Sequence, residues 1–388
     1  MIEPLVGFRR RLTEHDKDVL DRSGLLTSVF RGFAQTIDIP PSSVPQNKLF
    51  TESPAHLTII SRLSSQRAGT RFNARGIDDD GNVANFVETE TFFGTASGVL
   101  FSYIQTRGSV PIFWEQMSGL LPGQQKITIT RSPQAAQPAF DKHFEELELK
   151  YGALHIINLL SNEKPAEAEL SARYKYHIAH SSLSNRSIDG STAQALLKHT
   201  YYDFHAETRG SAGLDAARGI CRYIHDSARS FAYFLAKDSN NAVASNEAEI
   251  EGPRRRKFCN IMMQQEGVFR TNCLDCLDRT NLIQTIISQM ALVDYLESGG
   301  HLASPDFWNR HSSLWADNGD ALSKIYAGTG AIKSSFTRHG KMSFAGALAD
   351  ARKSATRLYV NNFADKGRQN TIDILLVPNK CLSIALVS

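Results

Sequence analysis

The sequence predicts an α/β fold, a mixed sheet flanked by helices, in which a Cys-x5-Arg P-loop passes from a strand into a helix. Three observations lead there. Short apolar runs of strand character alternate along the chain with stretches of helical periodicity. The most regular helical pattern, 281–296, begins immediately after a loop that runs from Cys273 to Arg279. The 388 residues are 41% hydrophobic and 21% charged, enough apolar material for one large core or two smaller ones.

In chain order, Pro40, Pro41 and Pro45 with their polar neighbours mark a break near 40–47. Leu57 to Ile60 reads as a short strand. Residues 83–93 and 98–104 read as two more, and Asp80-Gly81-Asn82 supplies the turn before the first. Tyr151 to Leu160 reads as a buried strand followed by a loop. Helical periodicity covers 164–177 and 212–236, where Leu214, Ala217, Ile220, Cys221 and Ile224 share a face. Residues 239–257 are polar and hold Arg254-Arg255-Arg256-Lys257, the composition of a surface loop. In 281–296, Leu282, Ile283, Ile286, Ile287, Met290, Val293 and Leu296 recur at helical spacing. No internal repeat and no long low-complexity segment interrupts this order.

Composition narrows the function classes. The 43 Lys and Arg against 40 Asp and Glu leave a net charge of +3, which does not argue for a nucleic-acid partner, and none is expected; any attraction to anionic surfaces must come from local clusters. The longest apolar stretches, Ala153 to Leu160 and Ile372 to Val377, are far shorter than the ~20 residues of a transmembrane helix. No signal-peptide pattern opens the chain. Cys221, Cys259, Cys273, Cys276 and Cys381 are few, odd in number and unevenly spaced, which fits a reducing compartment where a thiol stays free for chemistry. The expectation is a cytoplasmic protein.

Residues 270–281 carry the chemistry. They read Arg-Thr-Asn-Cys-Leu-Asp-Cys-Leu-Asp-Arg-Thr-Asn between a strand end at Gly267-Val268-Phe269 and the helix. Five residues between Cys273 and Arg279 can wrap into a cradle whose amides converge on an anion, with the helix dipole adding positive potential. Arg279 can close the cradle with a fork that matches phosphate oxygens. The same field favours a Cys273 thiolate, which can attack phosphorus and form a phosphocysteine that water hydrolyses. No metal and no cofactor is required, because the amides and Arg279 neutralise the transferring group. Two blander readings remain: Cys273-Leu-Asp-Cys276 as half a zinc site or a redox pair, for which only Cys259 lies near as a further ligand, and two plain core cysteines.

Arg270 to Asn281 resembles the motif of Sac-domain phosphoinositide phosphatases at every fixed position. Arg67 to Glu90 (RAGTRFNARGIDDDGNVANFVETE) resembles the segment that opens that family's catalytic region. Leu314 to Asp320 with Tyr326 to Lys341 resembles the block downstream of its cysteine loop, in the wording of the synaptojanin-like branch. The resemblance runs from about residue 25 to about 376. It implies Cys273 as nucleophile, Arg279 as phosphate ligand, and Asp275 as leading candidate for protonating the leaving inositol oxygen. That carboxyl would need to hold a proton near neutral pH, with Asp278 raising its pKa and Arg279 lowering it; the alternative is that both aspartates are structural. Asn272, Leu274, Cys276, Leu277, Asp278 and Thr280 would line the phosphate, and the implied substrates are phosphatidylinositol 4-phosphate or 3-phosphate at a membrane surface.

Lys333, Arg338 and Lys341 form a basic stretch that could face phosphoinositide headgroups or be a solvated loop. Arg254 to Lys257 could touch anionic lipid. Asp78-Asp79-Asp80-Gly81-Asn82 fails as a calcium loop, since Val83 and Thr89 stand where Gly and Glu are needed. Gly328 to Lys341 fails as a nucleotide-binding loop because Ser335 replaces its first Gly. The expected organisation is a remnant of an N-terminal subdomain in 1–45, a catalytic domain in 46–378 and a tail in 379–388. Two competing functions are a non-catalytic lipid-binding or scaffold fragment of a synaptojanin-like 5-phosphatase, and a phosphoprotein phosphatase. The second usually places His before its cysteine, where this chain has Asn272.

Overall fold

A computed structural model describes residues 12–23, 30–44, 54–117, 126–184, 186, 195–238, 259–332, 334–339, 344–360 and 364–376. The elements are α1 (Glu14–Arg22), β1 (Gly32–Ile39), β2 (Ala55–Leu63), β3 (Val87–Gly94), β4 (Val99–Arg107), β5 (Trp114–Met117), β6 (Lys126–Ile129), α2 (Pro133–Tyr151), β7 (Ala153–Asn158) and α3 (Pro165–His180). They continue as β8 (Leu197–Tyr201), α4 (Phe204–Glu207), α5 (Ile220–Phe231), β9 (Phe234–Asp238), β10 (Cys259–Met263), β11 (Gly267–Asn272), α6 (Asp278–Ser298), α7 (Pro305–Ala327), α8 (Ser334–His339), α9 (Phe344–Tyr359) and α10 (Asp365–Leu376).

A nine-stranded mixed sheet runs β1-β2-β3-β4-β11-β7-β8, with β9 also on β4 and β10 beyond it. The first four strands are antiparallel neighbours, whereas β4, β11, β7 and β8 are parallel. Arg107, Asn272, Asn158 and Tyr201 therefore end their strands on one side, the side where ligands bind in open parallel sheets. Successive residues of β7 and β11 feed opposite faces. Ile157 and Phe269 join the core under α5, α6 and α7, while Ile156 and Val268 join Phe140, Phe144 and Tyr174 of α2 and α3. Both faces are covered, so β7 and β11 are buried at every position.

Local chemistry sets the ends of the elements. Ser304 caps α7 by accepting from the Phe307 N–H, Pro305 opens the helix, and Gly328 closes it at φ 75°. Gly152, φ 79°, turns α2 into β7, and a Cβ there would lie 2.4 Å from the Glu266 carbonyl. Asp78 Oδ1 accepts from the Asp80 and Asn82 amides and forms the expected turn. The strand after it starts at Val87, four residues later than the sequence suggests, because the Ala84 amide bonds back to Gly76 and its carbonyl accepts from Ser109. The helix expected over 212–236 is a 3-10 turn at Gly213–Gly219, then α5, then β9. Ala232 at φ 52° breaks the helix, and Phe234 to Lys237 pair with Ser102 to Val99 of β4. Arg254 to Lys257 lie outside the described residues.

Candidate active site

Cys273 follows the last residue of β11, and α6 begins at Asp278. Its side chain is buried, 2% exposed. The turn between them closes through Cys276, whose φ of 53° is uncommon for a residue with a side chain. That conformation aims the Cys276 N–H at the Cys273 sulfur, 3.0 Å away. One turn into α6, the Thr280 hydroxyl donates to the same sulfur at 3.3 Å. Burial works against a charged sulfur, but the Cys276 side chain, the nearby Arg279 charge and the Thr280 hydroxyl prevail and bring the Cys273 thiol down to about 6. Cys276 is pushed the other way, by burial first and then by its neighbour's sulfur. Its thiol donates to the carbonyls of Gly108 (2.9 Å) and Cys273 (3.2 Å). Among the described residues, no group of three His, Cys, Asp or Glu side chains is placed to hold a metal ion.

A cavity of about 220 Å³ opens over the loop. Cys273, Asp275, Asp278 and Arg279 form its polar floor, with Phe204, Leu214, Leu282 and Phe336 among its walls. Cys273 and Arg279 thus reach one hollow. Arg279 Nη1 donates to Glu167 Oε2 at 2.8 Å and to the Leu159 carbonyl at 3.1 Å, while Nη2 reaches Glu167 Oε1 at 3.4 Å. Asp278 hangs at the start of α6, accepting from the Ile332 amide at 2.6 Å and from Arg357 at 3.3 Å. Burial raises its carboxyl above the usual carboxylate range, against the pull of Arg357.

Asp275 has partners that its sequence neighbours do not foretell. Arg71 grips it with two bonds, Nε to Oδ1 at 2.9 Å and Nη2 to Oδ2 at 2.7 Å, and Arg75 adds a third at 2.7 Å. Burial opposes its charge, yet Arg71 and then Arg75 hold the carboxyl far below the usual carboxylate range. Arg75 is itself buried against Phe72, Trp114 and Tyr326 and also holds the Leu274 carbonyl at 2.9 Å. Asn85 donates to the Asp275 carbonyl at 3.2 Å. Behind the loop, Arg107 donates to Asn281 at 3.2 Å, its Nε and Nη1 have no partner among the described residues, and Arg270 bonds the Gly108 and Ser109 carbonyls. Guanidinium groups outnumber carboxylates around the loop, an arrangement that favours an anion.

The other expected site residues divide. Thr280 touches the sulfur, Leu274 offers its carbonyl to Arg75, and Leu277 and Cys276 pack inward. Asn272, expected to line the phosphate, is fully buried, and its amide donates to Asn158 at 2.7 Å. Arg338 turns from the cavity to pair with Asp317 and, at 3.7 Å, Asp320. Lys333 and Lys341 lie outside the described residues. Sequence reasoning missed Glu167 and gave Arg71 and Arg75 no individual role. The only available signal was that two arginines stand four apart in a polar, non-helical segment.

A family model described as the SacI homology domain matches residues 7–209. The chain is 45% identical over 382 residues to the polyphosphatidylinositol phosphatase INP53 of Saccharomyces cerevisiae, covering 97% of this chain and 31% of that protein. It is 37% identical over 329 residues to synaptojanin-1 of Homo sapiens, covering 84% of the chain and 18% of that protein. With the phosphatidylinositol-3-phosphatase SAC1 of Saccharomyces cerevisiae it shares 33% over 360 residues, 90% of the chain and 52% of that protein. The chain therefore spans about half the length of one of these relatives and a third or less of the other two. The cysteine-loop motif, the mixed α/β sheet that displays it and these matches lead to one family: this chain belongs to the Sac-domain family.

Proposed function

We propose that this domain is a phosphoinositide phosphatase that removes a ring phosphate, at the 4- or 3-position, through Cys273. The observation that carries the reading is the Cys273 sulfur, held by the Cys276 amide and the Thr280 hydroxyl in the hollow that Arg279 also lines. The names of the relatives point to the same substrates. In this reading 273–279 is a P-loop. The first amides of α6 have no intrahelical partner and face the phosphate with Arg279. The thiolate attacks phosphorus as the bond to the inositol oxygen breaks, giving phosphocysteine. Water then attacks phosphorus, releasing inorganic phosphate and restoring the thiolate.

The leaving oxygen needs a proton. Asp275 supplies it in this reading, but only once Arg71 and Arg75 let go, because a carboxylate gripped by two guanidinium groups carries no proton to give. Phosphate oxygens competing for those arginines would release it. The substrate would be met at a membrane surface from the cytoplasmic side. No helix among the described residues is long and apolar enough to cross a membrane.

The test is phosphate release from mono- and bisphosphorylated inositol lipids by wild type and Cys273→Ser, with a phosphotyrosine peptide alongside. Lipid turnover should survive a chelator and fall by at least about 10³-fold in the serine variant. Turnover that persists in Cys273→Ser rejects the nucleophile, and turnover of the peptide alone moves the domain to phosphoprotein substrates.

A further inference from the structure

We propose that Glu167, on the first turn of α3, is a positioning residue that fixes the Arg279 guanidinium with one edge turned free for the phosphate. The inference rests on the reading of Arg279 as phosphate ligand. Glu167 is buried, its side chain 5% exposed, and a carboxylate there is costly unless it is paired. Among the described residues three groups reach it: Arg279, the Ser161 amide at 2.9 Å and, at 3.6 Å, Lys164. Burial opposes its ionisation, yet the Arg279 charge keeps the carboxyl below the usual range.

The distribution of donors is the argument. A guanidinium has five N–H groups in a rigid plane. Glu167 Oε2 and the Leu159 carbonyl occupy both hydrogens of Nη1, and Glu167 Oε1 takes one of Nη2. Nε makes no hydrogen bond among the described residues. The Nε hydrogen and the outer Nη2 hydrogen are parallel along one edge, a pair that matches two phosphate oxygens. The contacts arrive from two places, the end of β7 and the start of α3, so the plane is fixed as well as the distance. Arg279 can then meet its ligand without first losing the freedom of a long side chain.

The test compares Glu167→Gln, which keeps an acceptor for the Ser161 amide, with Arg279→Lys and the double variant. Phosphate release from a phosphorylated inositol lipid is measured together with competitive inhibition by inorganic phosphate. Glu167→Gln should lower kcat/KM about 30-fold and weaken phosphate inhibition by a similar factor. In the Arg279→Lys background the same change should cost less than about threefold, because a lysine has no fork to orient. Equal costs in both backgrounds, or any gain in kcat/KM, would overturn the proposal, since Glu167 would then be supporting the fold or restraining the arginine. If Glu167→Gln fails to fold, Glu167→Asp, which keeps the charge but loses reach, should show the same dependence on Arg279. An Arg279→Lys variant as active as wild type would instead reject the phosphate-ligand reading itself.

Discussion

At the scale of single residues the site is a contest between burial and local charge. Cys273 is almost fully enclosed, which favours the neutral thiol, yet the Cys276 side chain, the Arg279 guanidinium and the Thr280 hydroxyl bring it down to about 6. The sign follows directly: the thiolate is lost as pH falls, so the acid limb of kcat/KM should climb through pH 6. Thr280→Val removes one hydrogen bond from the charged form in nearly the same volume. The acid limb of the pH–rate profile should then move up by about one pH unit, the scale of a ~1.5 kcal/mol hydrogen bond to a charged acceptor. An unmoved limb would show that the hydroxyl does not contribute. Cys273, Arg279 and Thr280 were legible as a group because they lie within one loop and one helical turn. Glu167 was not, since its only claim on the site is proximity to a residue 112 positions away.

At the scale of elements, α6 bears the loop's geometry. Its periodicity is plain in sequence, but it is buried well beyond one stripe, with Thr280, Gln284 and Ser288 enclosed beside Ile283 and Leu292. A polar residue inside a helix says nothing about whether a strand will cover it. Here Gln284 bonds the Thr106 carbonyl of β4, and Ser288 bonds His311 of α7. Leu292→Ala should cost about 2–5 kcal/mol in urea unfolding, because a tight core collapses only partly around the missing atoms. A cost near zero would mean that α6 can shift, and with it the loop between Cys273 and Arg279. The second helical stretch shows the limit of periodicity. Residues 234–236 fall within the helical pattern expected over 212–236, yet pairing with β4 makes them part of a strand. A sheet edge waiting for a partner outweighs a few tenths of a kcal/mol in propensity.

At the scale of the whole molecule, the Asp275 ion pairs tie the cysteine loop to a segment some 200 positions earlier. Asp275→Asn should destabilise the fold by about 3–5 kcal/mol at pH 7, since it leaves two enclosed arginines without their countercharge. The folded carboxyl is held below its unfolded value, so this stabilisation is fully present above about pH 5 and declines as pH drops past ~3.9. Chemical denaturation at pH 7 and pH 2.5 should therefore show the gap between wild type and variant narrowing in acid. A gap that stays constant would mean that the charge of Asp275 is not what Arg71 and Arg75 respond to.

The sequence by itself determined the α/β class, the loop that carries the thiol and the helix behind it, because each depends on residues contiguous in the chain. Tertiary structure alone decided which charges meet. Glu167 comes to Arg279 through the crossover from β7, and Arg71 and Arg75 come to Asp275 through the packing of the Arg67 segment against α7. Electrostatic partners are selected by distance in space, and that distance is set only when every strand has taken its place in the sheet.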